Sequence, residues 1–164
     1  MAQPARLLFV FVALVALARL AAAQADPAAQ PTPVLDNVDL MDLMVKPAYD
    51  EVQKALAHAP EDRKAWAALY QKAARLAEIE NLLYFRTRAE AARKPEWAAS
   101  ATRAQKASAD LAAAALLGLR SARATDFDDV RGRFPAVAEA CTACHHAFAR
   151  EALVITPGTS GRRF

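Results

Sequence analysis

Apolar residues recur every three or four positions along most of residues 36–151, and this spacing constrains the fold more than any other feature. The same stretch is rich in Ala, Leu, Glu, Lys and Arg, and it contains few glycines and almost no run of β-branched residues. The residues that are abundant here favour helix, whereas strands need the β-branched residues that are scarce. The chain is therefore predicted to be all-α.

Breaks in the pattern divide this stretch into four predicted helices. The sequences APED and RKPEW interrupt it, and Thr125 or Asp126 is a candidate N-cap for the last helix. Four helices with short connections predict an antiparallel up-down-up-down bundle. The predicted helices cover residues 36–58, 60–93, 96–123 and 125–151, the last with an interruption at Gly132–Pro135.

One face of each predicted helix supplies the core, and a single charged residue lies among these positions. Glu80 is predicted either to face an arginine or to lie at the edge of the apolar stripe. The other inner positions are Leu40, Met41, Met44, Ala48, Val52, Leu56, Trp66, Leu69, Ala73, Leu76, Leu83, Trp97, Ala101, Ala104, Leu111, Ala115 and Leu119.

The first 25 residues have the pattern of a secretory signal peptide. Arg6 precedes an apolar run over residues 7–18, and small residues follow up to Ala25. The run is shorter than the roughly 20 apolar residues that a membrane span needs. We expect cleavage near Ala25, a periplasmic mature protein and no stable membrane insertion; an uncleaved N-terminal anchor is the alternative.

The predicted organisation is a signal peptide over 1–25, a Pro/Ala-rich linker over 26–35, a helical domain over 36–152 and a flexible tail over 153–164. Loss of residues 1–25 removes two Arg and no acid, so 19 Lys+Arg (21 − 2) face 18 Asp+Glu. No basic patch is interleaved with aromatic residues, so the sequence does not predict nucleic-acid binding.

Both cysteines of the chain lie in one motif near the end of the last predicted helix. Cys141, Cys144 and His145 form C-T-A-C-H, and residues three and four apart share one helix face. C-x-x-C-H is the pattern for covalent haem attachment through two thioether bonds. A disulfide and a structural zinc are the alternatives, but the first expects a βαβ context and the second needs four ligands.

The segments LMDLMVKPAYDEV, WAALYQKAARLAEIENLL and ACTACHHAF resemble the class II cytochromes c, the family of cytochrome c′ and its low-spin relatives. The resemblance extends over residues 36–151 and implies a four-helix bundle with the haem on its C-terminal helix. It implies that Cys141 and Cys144 anchor one haem c, that His145 is the proximal iron ligand, and that Phe148 is the aromatic residue that follows.

The residue on the other side of the iron separates two functions. Methionine opposite histidine gives a six-coordinate iron suited to electron transfer, whereas an apolar residue leaves the iron open to nitric oxide or carbon monoxide, as in cytochrome c′ proper. Met41 and Met44 are the candidates. Pro47 should bend the helix at Leu43, and one subgroup of the family has a methionine shortly before a proline. Met44 is the predicted ligand and Met41 the fallback.

The predicted function is that of an exported monohaem cytochrome that carries single electrons between redox partner proteins and is not an enzyme. Members of this family often form homodimers, so the resemblance makes a homodimer one possible assembly, but the sequence has no exposed apolar stripe that predicts it. A five-coordinate haem protein that binds nitric oxide or carbon monoxide is the second hypothesis, and a haem-free helical module is the third. His146 is predicted to face solvent, because it is turned about 100° from His145 on the helix.

Overall fold

The computed structural model describes residues 33–86, 94–121 and 123–149. The predicted signal peptide over 1–25, most of the linker over 26–35 and the tail over 153–164 lie outside the described residues. The described residues from Leu35 onward belong to one compact unit, whereas Pro33 and Val34 belong to the preceding one.

Four helices make up the described part of that unit, and no strand occurs within the described ranges. We number them α1, residues 37–55; α2, Arg63–Tyr84; α3, Lys94–Ser121; and α4, Ala124–Phe148. The predicted all-α fold with four helices is thus confirmed, and the arrangement is compatible with a helical bundle. No helix in the described ranges combines the length and the apolar composition needed to cross a bilayer.

Carboxylates close the N-terminal ends of three helices. Asp36 accepts a hydrogen bond from the Asp39 amide at 2.9 Å, and Asp62 accepts one from the Ala65 amide at 2.6 Å. Such caps each stabilise a helix by about 1 kcal/mol. At α4, Asp126 accepts from the backbone amide of Arg123 at 3.1 Å. The predicted N-cap at Thr125 or Asp126 is therefore wrong: the helix begins at Ala124, and Asp126 caps it from inside the first turn.

The predicted interruption of the last helix at Gly132–Pro135 is also wrong, because α4 is continuous there. Pro135 removes one backbone donor. Pro135 and Arg131, whose carbonyl would have accepted that bond, are both exposed, so water can reach this site. Phe134 and Val137 are buried on the opposite face, and their packing maintains the helix across the proline.

Two helix boundaries near the second connection differ from the prediction. α2 ends at Tyr84 rather than at Arg93, and the indole of Trp97 donates to the carbonyl of Leu83 at 2.7 Å, satisfying one of the last carbonyls of α2. α3 begins at Lys94, so Pro95 lies in its first turn. Backbone amides there have no acceptor within the helix, so the missing N–H of proline costs no hydrogen bond. α4 ends at Phe148, before the predicted Glu151.

The predicted inner faces are confirmed, since every residue on them is buried or packs partly buried against the core. Side chains from helix ends meet in two groups. At one, Gly118 of α3 adjoins Trp66 of α2, whose ring lies 6.5 Å from that of Phe127 of α4. At the other, Trp97 of α3 packs 5.2 Å from Phe148 of α4.

Gly118→Ala is expected to destabilise the protein. A Cβ at this position would lie 2.0 Å from Trp66 Cζ3 and 2.3 Å from Cη2, and this indole is buried. Overpacking of a core costs about 1–3 kcal/mol. Gly132→Ala is the matched control, because nothing lies within 4 Å of its added Cβ, and it should stabilise the helix by about 0.5–1 kcal/mol. Chemical denaturation measures both, and equal effects would contradict the packing explanation.

Candidate functional site

The C-T-A-C-H motif lies on the inner face of α4. Cys141 and Cys144 are 8% and 9% exposed, His145 is half-buried, and His146 is exposed as predicted. Both thiols are unbonded. The helix therefore directs the three motif residues toward the core and the second histidine toward solvent.

The environment of the two thiols does not resemble that of a reactive dithiol. Burial raises the pKa of Cys141, and the charges of Glu80 and Cys144 raise it further. Burial also raises the pKa of Cys144, although the charge of Arg103 opposes that shift. Redox-active C-x-x-C sites instead lower the pKa of the attacking thiol. The raised pKa values favour the neutral thiols, which are poor nucleophiles for disulfide exchange.

A buried polar cluster adjoins Cys141, and we define it as the side chains of Tyr49, Glu80 and Ser108. Glu80 is 1% exposed, and the Cys141 thiol donates to its Oε1 at 3.8 Å. The predicted edge position of Glu80 is therefore wrong, and no arginine within the described ranges forms an ion pair with it. The sequence could not predict this cluster, because its three members come from three different helices. The only indication in the sequence was a carboxylate, Glu80, on an apolar helix face.

Each member of the cluster has a polar atom without a well-formed hydrogen bond. The Tyr49 hydroxyl has none to the described residues, and Glu80 Oε2 and Ser108 Oγ form none of ordinary geometry, although these two side chains lie close enough to interact. Burial raises the pKa of Glu80 to about 7, and the nearby Ser108 hydroxyl and Cys141 thiol oppose that rise. Leaving a buried polar group unpaired costs about 1–3 kcal/mol, so three such poorly paired groups around one cysteine call for an explanation.

α1 and α4 meet through side chains rather than by close backbone packing. Within the described ranges, the backbones that approach closely are those of α1 with α2, α2 with α3, and α3 with α4. Across the α1–α4 interface the ring of Tyr49 lies 4.9 Å from that of Phe134. Burial raises the pKa of Tyr49, with the charges of Cys141 and Asp50 adding to the effect.

The two candidate methionines lie in a π-helical turn of α1, Met41–Val45, between the α-helical segments Asn37–Leu40 and Lys46–Ala55. The Lys46 amide donates to the Met41 carbonyl, five residues earlier. Such turns occur frequently at functional sites. The sequence predicted a bend near Leu43 from Pro47 but did not predict the π turn, for which this proline was the available signal.

Met41 and Met44 are both half-buried and both pack against the core cluster that contains Cys141. Leu43, between them, is 64% exposed. The turn thus presents both sulfur-bearing side chains to the interior, and their exposure does not favour one over the other as a ligand.

Zinc binding receives no support from the arrangement of side chains. In the described part of the chain, no group of three or more His, Cys, Asp or Glu side chains is placed to hold a metal ion. A structural zinc needs four such ligands. Covalently attached haem needs only the two thiols and one imidazole from the motif, because its own nitrogens hold the iron, so these residues fit it.

The surroundings of Cys141 also fit a haem. Unpaired polar groups of the buried cluster are groups that a large cofactor and its ordered waters can satisfy. The Tyr49 and Phe134 rings meet across the interface of α1 and α4, so this interface is formed by side chains. Comparison with family models, with curated proteins and with solved structures finds no match for this chain. The resemblance to the class II cytochromes c stays a prediction.

Proposed function

We propose that this protein is an exported monohaem c-type cytochrome that carries single electrons. One observation supports this above all: α4 directs Cys141, Cys144 and His145 of a C-x-x-C-H motif toward the buried side of the helix. When bound, haem c supplies a one-electron couple between ferric and ferrous iron. The signal-peptide pattern over 1–25 supports a periplasmic location, where such proteins exchange electrons with redox partner proteins.

We further propose that the four helices form an antiparallel up-down-up-down bundle with a C-terminal haem-attachment helix. Contacts between helix ends support this arrangement. The start of α2, the end of α3 and the start of α4 meet at Trp66, Gly118 and Phe127. The start of α3 and the ends of α2 and α4 meet around Trp97, which contacts both Leu83 and Phe148.

Each motif residue has a distinct role in this proposal. The thiols of Cys141 and Cys144 would form the two thioether anchors, and the imidazole of His145 would bind the iron. A ligating histidine is normally oriented by a hydrogen bond from its second ring nitrogen. Trp97 packs against Phe148 with ring centroids 5.2 Å apart, and this contact holds the last turn of α4, which carries the imidazole.

Met44 is the proposed sixth ligand, with Met41 as the fallback. The π turn supports a methionine ligand because it directs both sulfur-bearing side chains to the interior within one turn of helix. A thioether opposite an imidazole stabilises the reduced iron and raises its potential, which suits electron transfer.

The decisive experiment examines the purified mature protein for covalent haem and then for spin state. The haem should resist boiling in denaturant and extraction with acid acetone, and the pyridine haemochrome spectrum should be that of haem c. The reduced visible spectrum should be low-spin. Extractable haem, or none, would overturn the proposal; a high-spin spectrum with ready carbon monoxide binding would favour the gas-binding hypothesis.

His145→Ala is expected to remove the proposed histidine ligand and so to change the spin state and the reduction potential of the haem. The thioether bonds should keep the haem attached. His146→Ala is the matched control, because His146 adjoins His145 but is exposed. It should leave the visible spectrum unchanged. Spectra of the two variants in both oxidation states measure the difference. A change confined to His146→Ala would show that the motif has been read incorrectly.

A further inference from the structure

Glu80 is an ionisable group that the proposed function leaves without a role. It lies in α2 at a position where every neighbour on the same face is apolar, and it is 1% exposed. Its Oε1 accepts from the Cys141 thiol at 3.8 Å, and its Oε2 forms no hydrogen bond of ordinary geometry with the described residues. A thioether sulfur has no proton to donate, so attachment at Cys141 would remove even the first of these contacts.

The surroundings provide no charge to hold Glu80 ionised. The described side chains that act on it, Ser108 and Cys141, carry no positive charge. Cations near the α1–α2 surface are engaged elsewhere: Arg75 with Glu51, and Lys46 with Asp50 at 2.7 Å. The titratable or charged groups around the cluster from the other three helices are Tyr49 and Asp50 on α1, Arg103 on α3, and Cys141 and Cys144 on α4.

We propose that Glu80 is the proton acceptor coupled to electron uptake, binding one proton when the protein is reduced and releasing it on oxidation. This inference rests on the haem function proposed above. A buried carboxylate beside an attachment cysteine senses the charge of the cofactor through a medium of low dielectric constant. The ferric state carries one more positive charge and favours the carboxylate, whereas the ferrous state favours the neutral acid.

The step balances in charge and in atoms. One electron arrives from an external electron-donating redox protein and reduces ferric to ferrous iron, while one proton passes from water to a Glu80 carboxylate oxygen. Oxidation by an electron-accepting partner reverses both transfers. Burial raises the pKa of Glu80 to about 7 before any charge on an iron acts on it. The additional positive charge of the ferric state would lower this pKa, and reduction would let it rise again.

Spectroelectrochemical titration of the holoprotein between pH 5 and 9 tests this proposal. Because the reduced protein holds the proton more tightly, the midpoint potential of the wild type should fall as pH rises through the neutral range. Glu80→Gln should abolish that dependence. Glu78→Gln is the matched control, since Glu78 lies in the same helix but is exposed, and it should behave as the wild type.

Two further measurements separate proton coupling from a structural effect. Infrared difference spectra on reduction should show a protonated carboxyl band in the wild type that is absent in Glu80→Gln. If Glu80→Gln is too unstable to study, Glu80→Asp replaces it. Proton uptake on reduction, followed with an indicator dye, should then be largest in the wild type and only partly retained in Glu80→Asp.

Glu80 also predicts how stability depends on pH. Its pKa is raised in the folded protein from the ordinary value of 4.5 to about 7. Below pH 4.5 both the folded and unfolded chains hold the proton, whereas at higher pH only the folded chain does, so unfolding releases a proton. The free energy of unfolding of the wild type should therefore decrease as the pH rises from 4.5 to about 7. The decrease should be smaller in Glu80→Gln.

The outcomes distinguish the two proposals. A protein without haem overturns both. A low-spin haem protein whose potential keeps the same pH dependence in Glu80→Gln, or shows none in the wild type, overturns the role of Glu80 and leaves electron transfer intact. A carboxyl band that persists in Glu80→Gln would assign the proton to another group.

Discussion

Replacement of Cys141 and Cys144 together by alanine is expected to abolish covalent haem binding and to loosen the helical bundle. Each substitution removes only one buried sulfur atom, so the direct packing loss is small. The larger effect comes from the absence of the cofactor, because a void in a core costs about 24 cal/mol for every Å³ that remains empty. The double variant should lose at least about 2–5 kcal/mol of stability, the range for large-to-small core substitutions.

Haem staining on a denaturing gel and thermal unfolding followed by circular dichroism measure these two effects. The single variants should each retain one thioether and therefore some stain. Ala143→Ser is the matched control, because Ala143 lies between the cysteines and is exposed; it should keep both haem and stability. Denaturant-resistant haem in the double variant would contradict the assignment of the anchors.

Met44→Ala is expected to convert a low-spin haem into one that binds carbon monoxide readily after reduction. Removal of a thioether ligand opens the sixth position of the iron. Met41→Ala is a closely matched control: Met41 belongs to the same π turn and is also half-buried, so its truncation costs similar packing but should leave the haem low-spin.

Visible spectra with and without carbon monoxide, recorded on both reduced variants, measure this difference. The opposite pattern would identify Met41 as the ligand. A wild-type protein that is already high-spin would remove methionine from the iron and support the gas-binding function in place of electron transfer.

Local periodicity was sufficient to predict much of the fold. Four amphipathic segments specify four helices because a three-and-four spacing places apolar side chains on one face of each. The same rule places Cys141, Cys144 and His145 together and turns His146 toward solvent, as the structure confirms. These features depend on residues within one or two turns of one another, so the sequence alone determines them.

Features that depend on contacts between distant segments were decided only by tertiary structure. α2 ends at Tyr84 where the Trp97 indole reaches the Leu83 carbonyl, and α4 continues past Pro135 because its opposite face is buried. Such contacts can outweigh local helix signals of about 1 kcal/mol each. The π turn at Met41–Val45 likewise lies in a helix for which the sequence predicted only a bend near Leu43.

The buried cluster around Cys141 shows most clearly how local sequence and tertiary packing differ in what they determine. The sequence placed Glu80 on the inner stripe of α2, but its pairing with a thiol 61 residues later follows only from the packing of α2 against α4. The sequence left two possibilities for Glu80, an arginine partner or a position at the edge of the apolar stripe. The tertiary structure instead places the Ser108 hydroxyl and the Cys141 thiol beside this carboxyl. Local sequence determined which residues face inward, and the packing of the helices determined which of them meet, because their side-chain neighbours lie on separate helices.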